Sequence, residues 1–367
     1  MKVSIGSRVV EGPWGGGNLF VKNLSNFLLA AGHKVIYDLS EPDIDLIVLT
    51  DPRSRKESTS TYNHYEIEKY KKYVKNDTVV VQRINECDER KGTNNINAFY
   101  LKASNVADHV VFVSSWLKNI YINLGMSSSK TSVILSGSDA NIFNPKESSV
   151  FNKEKKIKLL THHWSSNINK GFDTYEYINE LIDTPKWKDK IEFTYIGNTE
   201  HQYKLNNTNL IKPLAGLELS NEIKNHHIYV TGSINEPSGN HHIEAAQCGL
   251  PILYLESGGI PEYCEGFGIG FTDDFEEKLE QIINEYDKYK VLITNYPFNS
   301  EKMCNEYLTL FNDLLKSKSS STIKKNYILK YIYLTKQKLV KILIDNLYLK
   351  TKNFVINVLS SQIKKDG

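Results

Sequence analysis

The run from Asn235 to Cys264, NEPSGNHHIEAAQCGLPILYLESGGIPEYC, leaves this chain few folds to choose from. Glu236 and Glu244 bracket Pro237, Gly239 and Asn240, residues that turn a chain and then open a helix. Ile243, Ala245, Ala246 and Cys248 carry that helix forward until Gly249-Leu250-Pro251 stops it. Ile252 to Leu255 then reads as a short buried strand, closed by the turn at Gly258-Gly259. At the helix mouth, Gly239-Asn240 leaves N–H groups unpaired, and those donors together with the helix dipole favour an anion. Glu236 lies on the loop before the mouth and Glu244 about one turn inside it. Carboxylates accept hydrogen bonds in pairs, which is what the vicinal hydroxyls of a sugar or ribose offer. The residues therefore describe a site for a nucleotide diphosphate-sugar. The plainer alternative is an ordinary amphipathic helix between two glycine turns, which needs neither glutamate in this register.

This stretch resembles the Glu-x7-Glu signature of the retaining glycosyltransferases of family 4, also called group 1, which have the GT-B fold. The resemblance rests on the run E-P-x-G-x4-E-A-x3-G-x-P followed by G-G-x-P-E, not on two acids alone. It covers roughly residues 1 to 315. It implies an α/β architecture of two Rossmann-like domains facing a cleft: residues 1–150 on the acceptor side, and 151–315 binding the nucleotide-sugar.

The length suits two domains, and the apolar and charged fractions are those of a globular protein. Formal net charge is +2 but unevenly spread, with twelve lysines against Asp345 and Asp366 from Lys316 onward. That asymmetry points the tail, residues 316–367, at an anionic surface. Cys87, Cys248, Cys264 and Cys304 lack metal-type spacing, so reduced thiols and a cytoplasmic setting are expected. No signal-peptide core opens the chain, and no stretch is apolar and uncharged for long enough to span a bilayer.

In chain order, Lys2 to Val10 reads as a strand, followed by Gly15-Gly16-Gly17 and a helical pattern at Leu19, Phe20, Leu24, Phe27 and Leu28. Strand, glycine loop, helix and then a strand from Val35 open a doubly wound sheet, and the glycines let a ligand approach backbone. The pattern G-G-G-x2-F-x3-L-x6-G-H-x-V also resembles the opening of family 4 enzymes, which implies donor contacts at Gly16 and Gly17; a generic Rossmann turn that binds nothing is the alternative. Asp43-Ile-Asp45 abuts the apolar run Leu46 to Leu49 and caps a strand, because two carboxylates are too few to cage a metal. The strand from Thr78 to Gln82 leads into Arg83-Ile-Asn85-Glu86-Cys87-Asp88-Glu89-Arg90, a charged cluster just beyond a strand's carboxyl end, where α/β sheets bind ligands. Arg83, Asn85, Asp88 and Arg90 are the candidates for acceptor contact; a solvated, salt-bridged loop is the alternative. Family members often carry a histidine here, and this run has none.

The strand from Val110 to Ser115 precedes a helix to Leu124. Val133-Ile-Leu-Ser136-Gly137-Ser-Asp139 with Phe143-x-Pro145 resembles the family's V-I-x-N-G-x-D and F-x-P, with Ser136 in place of asparagine and Asp139 a turn former or a ligand contact. A new strand starts at Lys158. Lys170-Gly171-Phe172-Asp173 matches the family's K-G-x-D, whose lysine binds the diphosphate as a point charge. The family's arginine five residues earlier is Ser165 here, so the second cation must come from His162, His163 or an arginine elsewhere. Ile191 to Gly197 and Ile228 to Gly232 are buried strands, Leu217 to Lys224 and Glu276 to Tyr286 helices, and Ser300 to Leu315 an amphipathic helix. Residues 323–349 form a lysine-rich, tyrosine-bearing helix that suits either an anionic membrane surface or packing on the acidic body or another subunit. No nucleic-acid motif accompanies the lysines.

The expected function is transfer of a sugar, with retention, from a nucleotide-diphosphate sugar to a hydroxyl on a glycan or lipid-linked acceptor. Glu236, Lys170 and Asp88 are the expected catalytic residues. Gly16, Gly17, Lys170, Ser233, Glu236, Gly239, Asn240 and Glu244 are expected to hold the donor, with no metal or other cofactor. A nucleotide-sugar epimerase on the same fold, or a non-catalytic partner subunit, are the rival expectations.

Overall fold

The computed structural model describes residues 1–10, 15–53, 58–149, 151–152, 155–200, 202–318, 327–343 and 346. The first half contains β1 (Lys2–Ile5), α1 (Gly16–Ala30), β2 (Lys34–Ile36), β3 (Leu46–Leu49), α2 (His64–Tyr73), β4 (Val79–Ile84), α3 (Asp88–Lys91), α4 (Ile96–Ala103), β5 (His109–Phe112), α5 (Ser115–Asn123) and β6 (Thr131–Val133). The second contains β7 (Ile157–His163), α6 (Phe172–Leu181), β8 (Ile191–Gly197), β9 (Asn209–Ile211), α7 (Gly216–Lys224), β10 (Ile228–Thr231), α8 (Asn240–Gln247), β11 (Ile252–Leu255), α9 (Ile260–Cys264), β12 (Gly268–Phe271), α10 (Phe275–Asn284), α11 (Tyr286–Leu292) and α12 (Ser300–Ser317).

Each half builds a six-stranded sheet, in the orders β2-β1-β3-β4-β5-β6 and β12-β11-β10-β7-β8-β9. Every strand pair is parallel. This explains why β3 reads as an unbroken apolar run and β4 opens on three valines: helices cover both faces, and all residues of the two strands are buried. Strand order reverses between β1 and β3 in the first sheet and between β7 and β10 in the second. Ligands bind at the carboxyl ends of strands at such a switch point.

Helix α1 shows how sequence dictates packing. Phe20, Val21, Leu24 and Leu28 fall on one stripe and are buried against the first sheet, each stabilising by about 1.5–3 kcal/mol. Helix α12 adds Met303, Cys304, Tyr307 and Phe311 to the same core, and the rings of Phe20 and Tyr307 lie 5.2 Å apart. The second domain's sheet thus ends at β12, and α12 crosses back to the first. The crossing is tight: a Cβ on Gly137 would lie 2.1 Å from the Asn299 carbonyl carbon, while Ser300 N donates to Ser138 O at 2.8 Å.

Strand β1 stops at Ile5 instead of running to Val10. Gly6 still bonds Val48 O, but Arg8 N turns away to Thr59 O, so the chain leaves the sheet towards the glycine loop. The Asp43 carboxylate accepts from Lys2 Nζ at 2.5 Å, and Asp45 accepts from Lys2 N at 2.8 Å and Lys75 Nζ at 3.0 Å. Both acids therefore tie down strand ends.

Residues 327–343 are helical; the remainder of the expected 323–349 helix, except 346, lies outside the described residues. One face docks on the first domain. Tyr333 is buried, its hydroxyl donates to Glu66 O at 3.0 Å, and its ring lies 6.2 Å from that of Tyr70. Lys341 pairs with Asp38 at 3.0 Å. Tyr331, Ile332, Leu339 and Leu343 are exposed. No helix among the described residues is long and apolar enough to cross a membrane.

Candidate functional site

A cleft of about 720 Å³ lies between the two sheets, and its walls come from the loops at both switch points. The first domain contributes Gly15 to Asn18 after β1, Asp51 and Arg53 after β3, and Arg83, Asn85, Glu86, Arg90 and Lys91 around the end of β4. The second contributes His162 to Ser165 and Lys170 after β7, and Glu236 to Glu244 after β10.

Two helix N-termini meet across this cleft. The N-cap residues of α1 and α8, Gly15 and Gly239, have no side chain with which to cap. A Cβ on Gly16 would lie 2.9 Å from Asn240 Oδ1, so the first turns of the two helices almost touch. Gly239 sits at φ 69°, in the left-handed region that favours glycine, and a Cβ there would run into His241 at 2.6 Å. Both mouths present the positive end of a helix dipole to the same space, an arrangement that repels itself until an anion lies between.

Both glutamates line this cleft, Glu236 on the loop before α8 and Glu244 within the helix. Glu244, buried on the first turns of α8, accepts from His162 Nε2 at 3.0 Å. Glu236 accepts from Lys170 Nζ at 2.6 Å and from Arg90 Nε at 3.1 Å. Burial pushes the Glu236 carboxyl up, but the Lys170 and Arg90 charges outweigh it and hold it well below the usual carboxylate range. Burial opposes the Lys170 charge, which the Glu236 carboxylate supports. His163 and His241 are pushed well below the ordinary imidazole value, chiefly by burial, and stay neutral beside the anion site.

Local chain geometry delivers these groups. Gly171 at φ 90° turns the chain after Lys170, where its backbone passes so close to Gly232 that a Cβ would lie 2.3 Å from that residue's carbonyl carbon. The packed crossing pins Lys170 over the end of β10. Gly259 N donates to Glu236 O at 2.9 Å, which holds the Glu236 loop against the Gly258-Gly259 turn.

Gly16, Gly17, Lys170, Glu236, Gly239, Asn240 and Glu244 all line the cleft. Ser233 does not: it is buried under the Lys170 turn, with its Oγ 3.5 Å from Lys170 O. The Asp88 carboxylate is also absent from the wall. It accepts from Thr93 Oγ1 at 2.5 Å and from the backbone N–H groups of Asn95, Ile96 and Asn97, so it closes the start of α4. Asn85 reaches the cleft, as does Arg83, whose buried guanidinium lies 4.2 Å over the Phe20 ring. Ser165 lines the cleft and carries no cation. The Asp51–Arg53 pair, at 2.6 Å, and the polar face of α1 at Lys22, Asn23 and Asn26 add to the first-domain wall. Nothing in their sequence spacing marks them, because a polar helix face looks the same whether it meets solvent or a ligand.

The fold and this cleft define the class: the architecture is GT-B, two Rossmann-like domains facing one another. Residues 148–299, the segment carrying the second sheet and both glutamates, match the family profile described as Glycosyl transferases group 1. Sucrose-phosphate synthase from Thermosynechococcus elongatus superimposes with a TM-score of 0.63 at 15% identity, covering 86% of this chain and all (100%) of that one. HepE of Anabaena, solved with UDP and glucose, gives 0.58 at 14% identity over 85% of this chain and 99% of that one. Among curated proteins, the phosphatidylinositol N-acetylglucosaminyltransferase gpi3 subunit of Schizosaccharomyces pombe is 33% identical over 69 residues. That match spans 18% of this chain and 15% of the yeast protein.

Proposed function

We propose that the protein is a glycosyltransferase that moves a sugar from a nucleotide-diphosphate sugar to a hydroxyl on a glycan or lipid-linked acceptor. The observation that carries this reading is the meeting of two uncapped helix N-termini in a cleft that Lys170, Glu236 and Glu244 also line. Glu244, oriented by His162, would accept hydrogen bonds from the ribose hydroxyls. Glu236 would orient the donor sugar. The bond between anomeric carbon and phosphate oxygen breaks as the diphosphate gathers negative charge. The amides at Gly16-Gly17 and Gly239-Asn240 and the Lys170 ammonium are already aimed at that charge. The acceptor hydroxyl enters along the wall formed by Arg83 and Asn85, and as the new glycosidic bond forms its proton passes to the departing phosphate oxygen and from there to solvent. Retention of configuration follows from the resemblance of the Glu236–Glu244 run to retaining enzymes. The diphosphate's charge is met by protein cations and helix amides, so this reading gives no task to a metal. Closure of the two domains would exclude water and favour an alcohol over hydrolysis. An anionic membrane surface near a lipid-linked acceptor suits the lysines and exposed apolar side chains of residues 327–343.

The test is a calorimetric screen of uridine, guanosine and adenosine diphosphate-sugars against the protein and against Glu244→Ala. One donor should bind, and the substitution should weaken it by at least tenfold. Absence of any donor binding would favour a non-catalytic partner subunit, and turnover of donor without acceptor would favour an epimerase.

A further inference from the structure

Arg90 stands on the first domain, on the short helix after β4, yet its guanidinium reaches the same carboxylate as Lys170 of the second domain. We propose that Arg90 is the second cation of the diphosphate site, supplied across the cleft, and that its contact with Glu236 is the ligand-free form of that interaction. The inference deepens the diphosphate-sugar reading and rests on it.

One consequence of that reading and three observations lead there. First, with Glu236 orienting the sugar and Glu244 the ribose, a cation bonded to Glu236 faces the distal, sugar-bearing phosphate and not the one next to the ribose. Second, the Arg90 loop is built to hold its place. Arg90 O accepts from Asn169 Nδ2 at 2.7 Å, and Glu89 O accepts from Asn235 Nδ2 at 3.2 Å, so two second-domain side chains grip the first-domain backbone on either side of the guanidinium. Third, the guanidinium is not committed to a closed pair. Its Nε serves Glu236, while its NH1 lies 3.5 Å from Glu86 Oε1, a separation at the limit of hydrogen bonding. A planar fork so placed has donors to spare for two phosphate oxygens. Fourth, the second-domain loop between β7 and Lys170 carries no arginine, and burial pushes the adjacent His163 well below the ordinary imidazole value, so Lys170 is the one Lys or Arg that this loop brings to the cleft.

The consequence is mechanical as well as electrostatic. Lys170 belongs to one domain and Arg90 to the other, so a diphosphate that engages both ties the halves together. The bound diphosphate would thus add to the interdomain bonds that Asn169 and Asn235 already make. After the glycosidic bond forms and the sugar leaves, the released diphosphate carries one more negative charge than it did in the donor, and the two cations hold it more tightly for that.

Calorimetry with nucleoside mono- and diphosphates tests this, using whichever of the uridine, guanosine and adenosine series binds. Arg90→Ala should weaken the diphosphate by ten- to hundredfold while leaving the monophosphate within about threefold, because only the distal phosphate loses a partner. Arg90→Lys should recover part of the loss. Asn235→Gly removes the grip on the loop but keeps the charge and the positive φ of that position (51°), and should cost the diphosphate less than tenfold. Equal loss of mono- and diphosphate in Arg90→Ala, or no loss of either, would overturn the role of Arg90 while leaving the site reading intact. Failure of the unsubstituted protein to bind any diphosphate would overturn both.

Discussion

At the scale of single residues, the site is a balance of charges held ready for a ligand that brings its own. Glu236 sits between Lys170 and Arg90 as an internal anion. Removing it should expose what it offsets. Glu236→Gln leaves two cations facing each other, and should lower the unfolding free energy by about 3 kcal/mol, the low end for a broken buried pair because the cleft admits water. Adding a nucleoside diphosphate should restore more stability to this variant than to the parent, as a thermal shift will read; an unchanged midpoint would contradict the account. The carboxyl's folded pKa is depressed, so its contribution is fully present above the ordinary value of 4.5 and is lost as pH falls below it. The buried histidines act at higher pH. Burial pushes His242 down to about 3 and His227 to about 4, from an ordinary 6.5. Below pH 6.5 the unfolded chain takes up protons that the folded chain refuses, so stability falls as pH falls through that window. Each such histidine contributes roughly 1.4 kcal/mol per pH unit. His242→Phe, at a ring that meets Tyr263 edge-on and whose nitrogens have no hydrogen-bond partner among the described residues, should flatten the decline measured by urea unfolding between pH 6.5 and 5. An unchanged slope would argue against it.

At the scale of elements, what a sequence makes legible depends on how a segment is buried. Strands β8 and β11 are legible residue for residue: β11 is a short apolar run after Pro251, and β8 is largely apolar and β-branched or aromatic, with only Glu192 and Thr194 polar within it. β12 is not: two of its four residues are glycine, and only its pairing with β11 makes it a strand. β9 is exposed along most of its length and owes its place to β8. The glutamates and Lys170 are legible because a helix mouth needs glycine, and glycine spacing leaves a pattern. Asp88 and Ser233 show the limit of that reasoning. Both stand next to site residues in the chain, but the Asp88 carboxylate is drawn into the start of α4 and Ser233 under the Lys170 turn. Position along a chain does not say which way a side chain faces. Arg90 reads as an acceptor contact in the sequence and meets Glu236 in the fold, since no local pattern records a contact 146 residues away. The Lys170 turn carries its own prediction. Gly171→Ala puts a Cβ into Gly232 at a backbone angle that alanine resists, and should cost at least ~3 kcal/mol in stability and abolish diphosphate binding. An Ala variant with wild-type unfolding would show that the crossing is looser than the structure has it.

At the scale of the whole molecule, two sheets with separate cores are joined by specific hydrogen bonds and by α12, which crosses from the second half to the core of the first. Tyr263 on α9 is the hub: its hydroxyl accepts from Ser136 N at 2.9 Å and donates to Val113 O. Glu262, beside it, accepts from Ser115 N and Oγ of the first domain at 2.6 and 2.8 Å. Tyr263→Phe strands a buried N–H and a buried carbonyl, and should cost about 1–3 kcal/mol while leaving each sheet's own core unchanged. Denaturant unfolding will read it, and a neutral result would mean that the domains are held by something else. The measurement that bears most directly on the central claim is a structure of the protein with its nucleoside diphosphate bound. The account predicts phosphate oxygens within hydrogen-bond reach of the amides opening α1 and α8 and of Lys170, with Glu244 on the ribose. A diphosphate bound elsewhere, or one lying in the cleft and touching neither helix mouth, would contradict it.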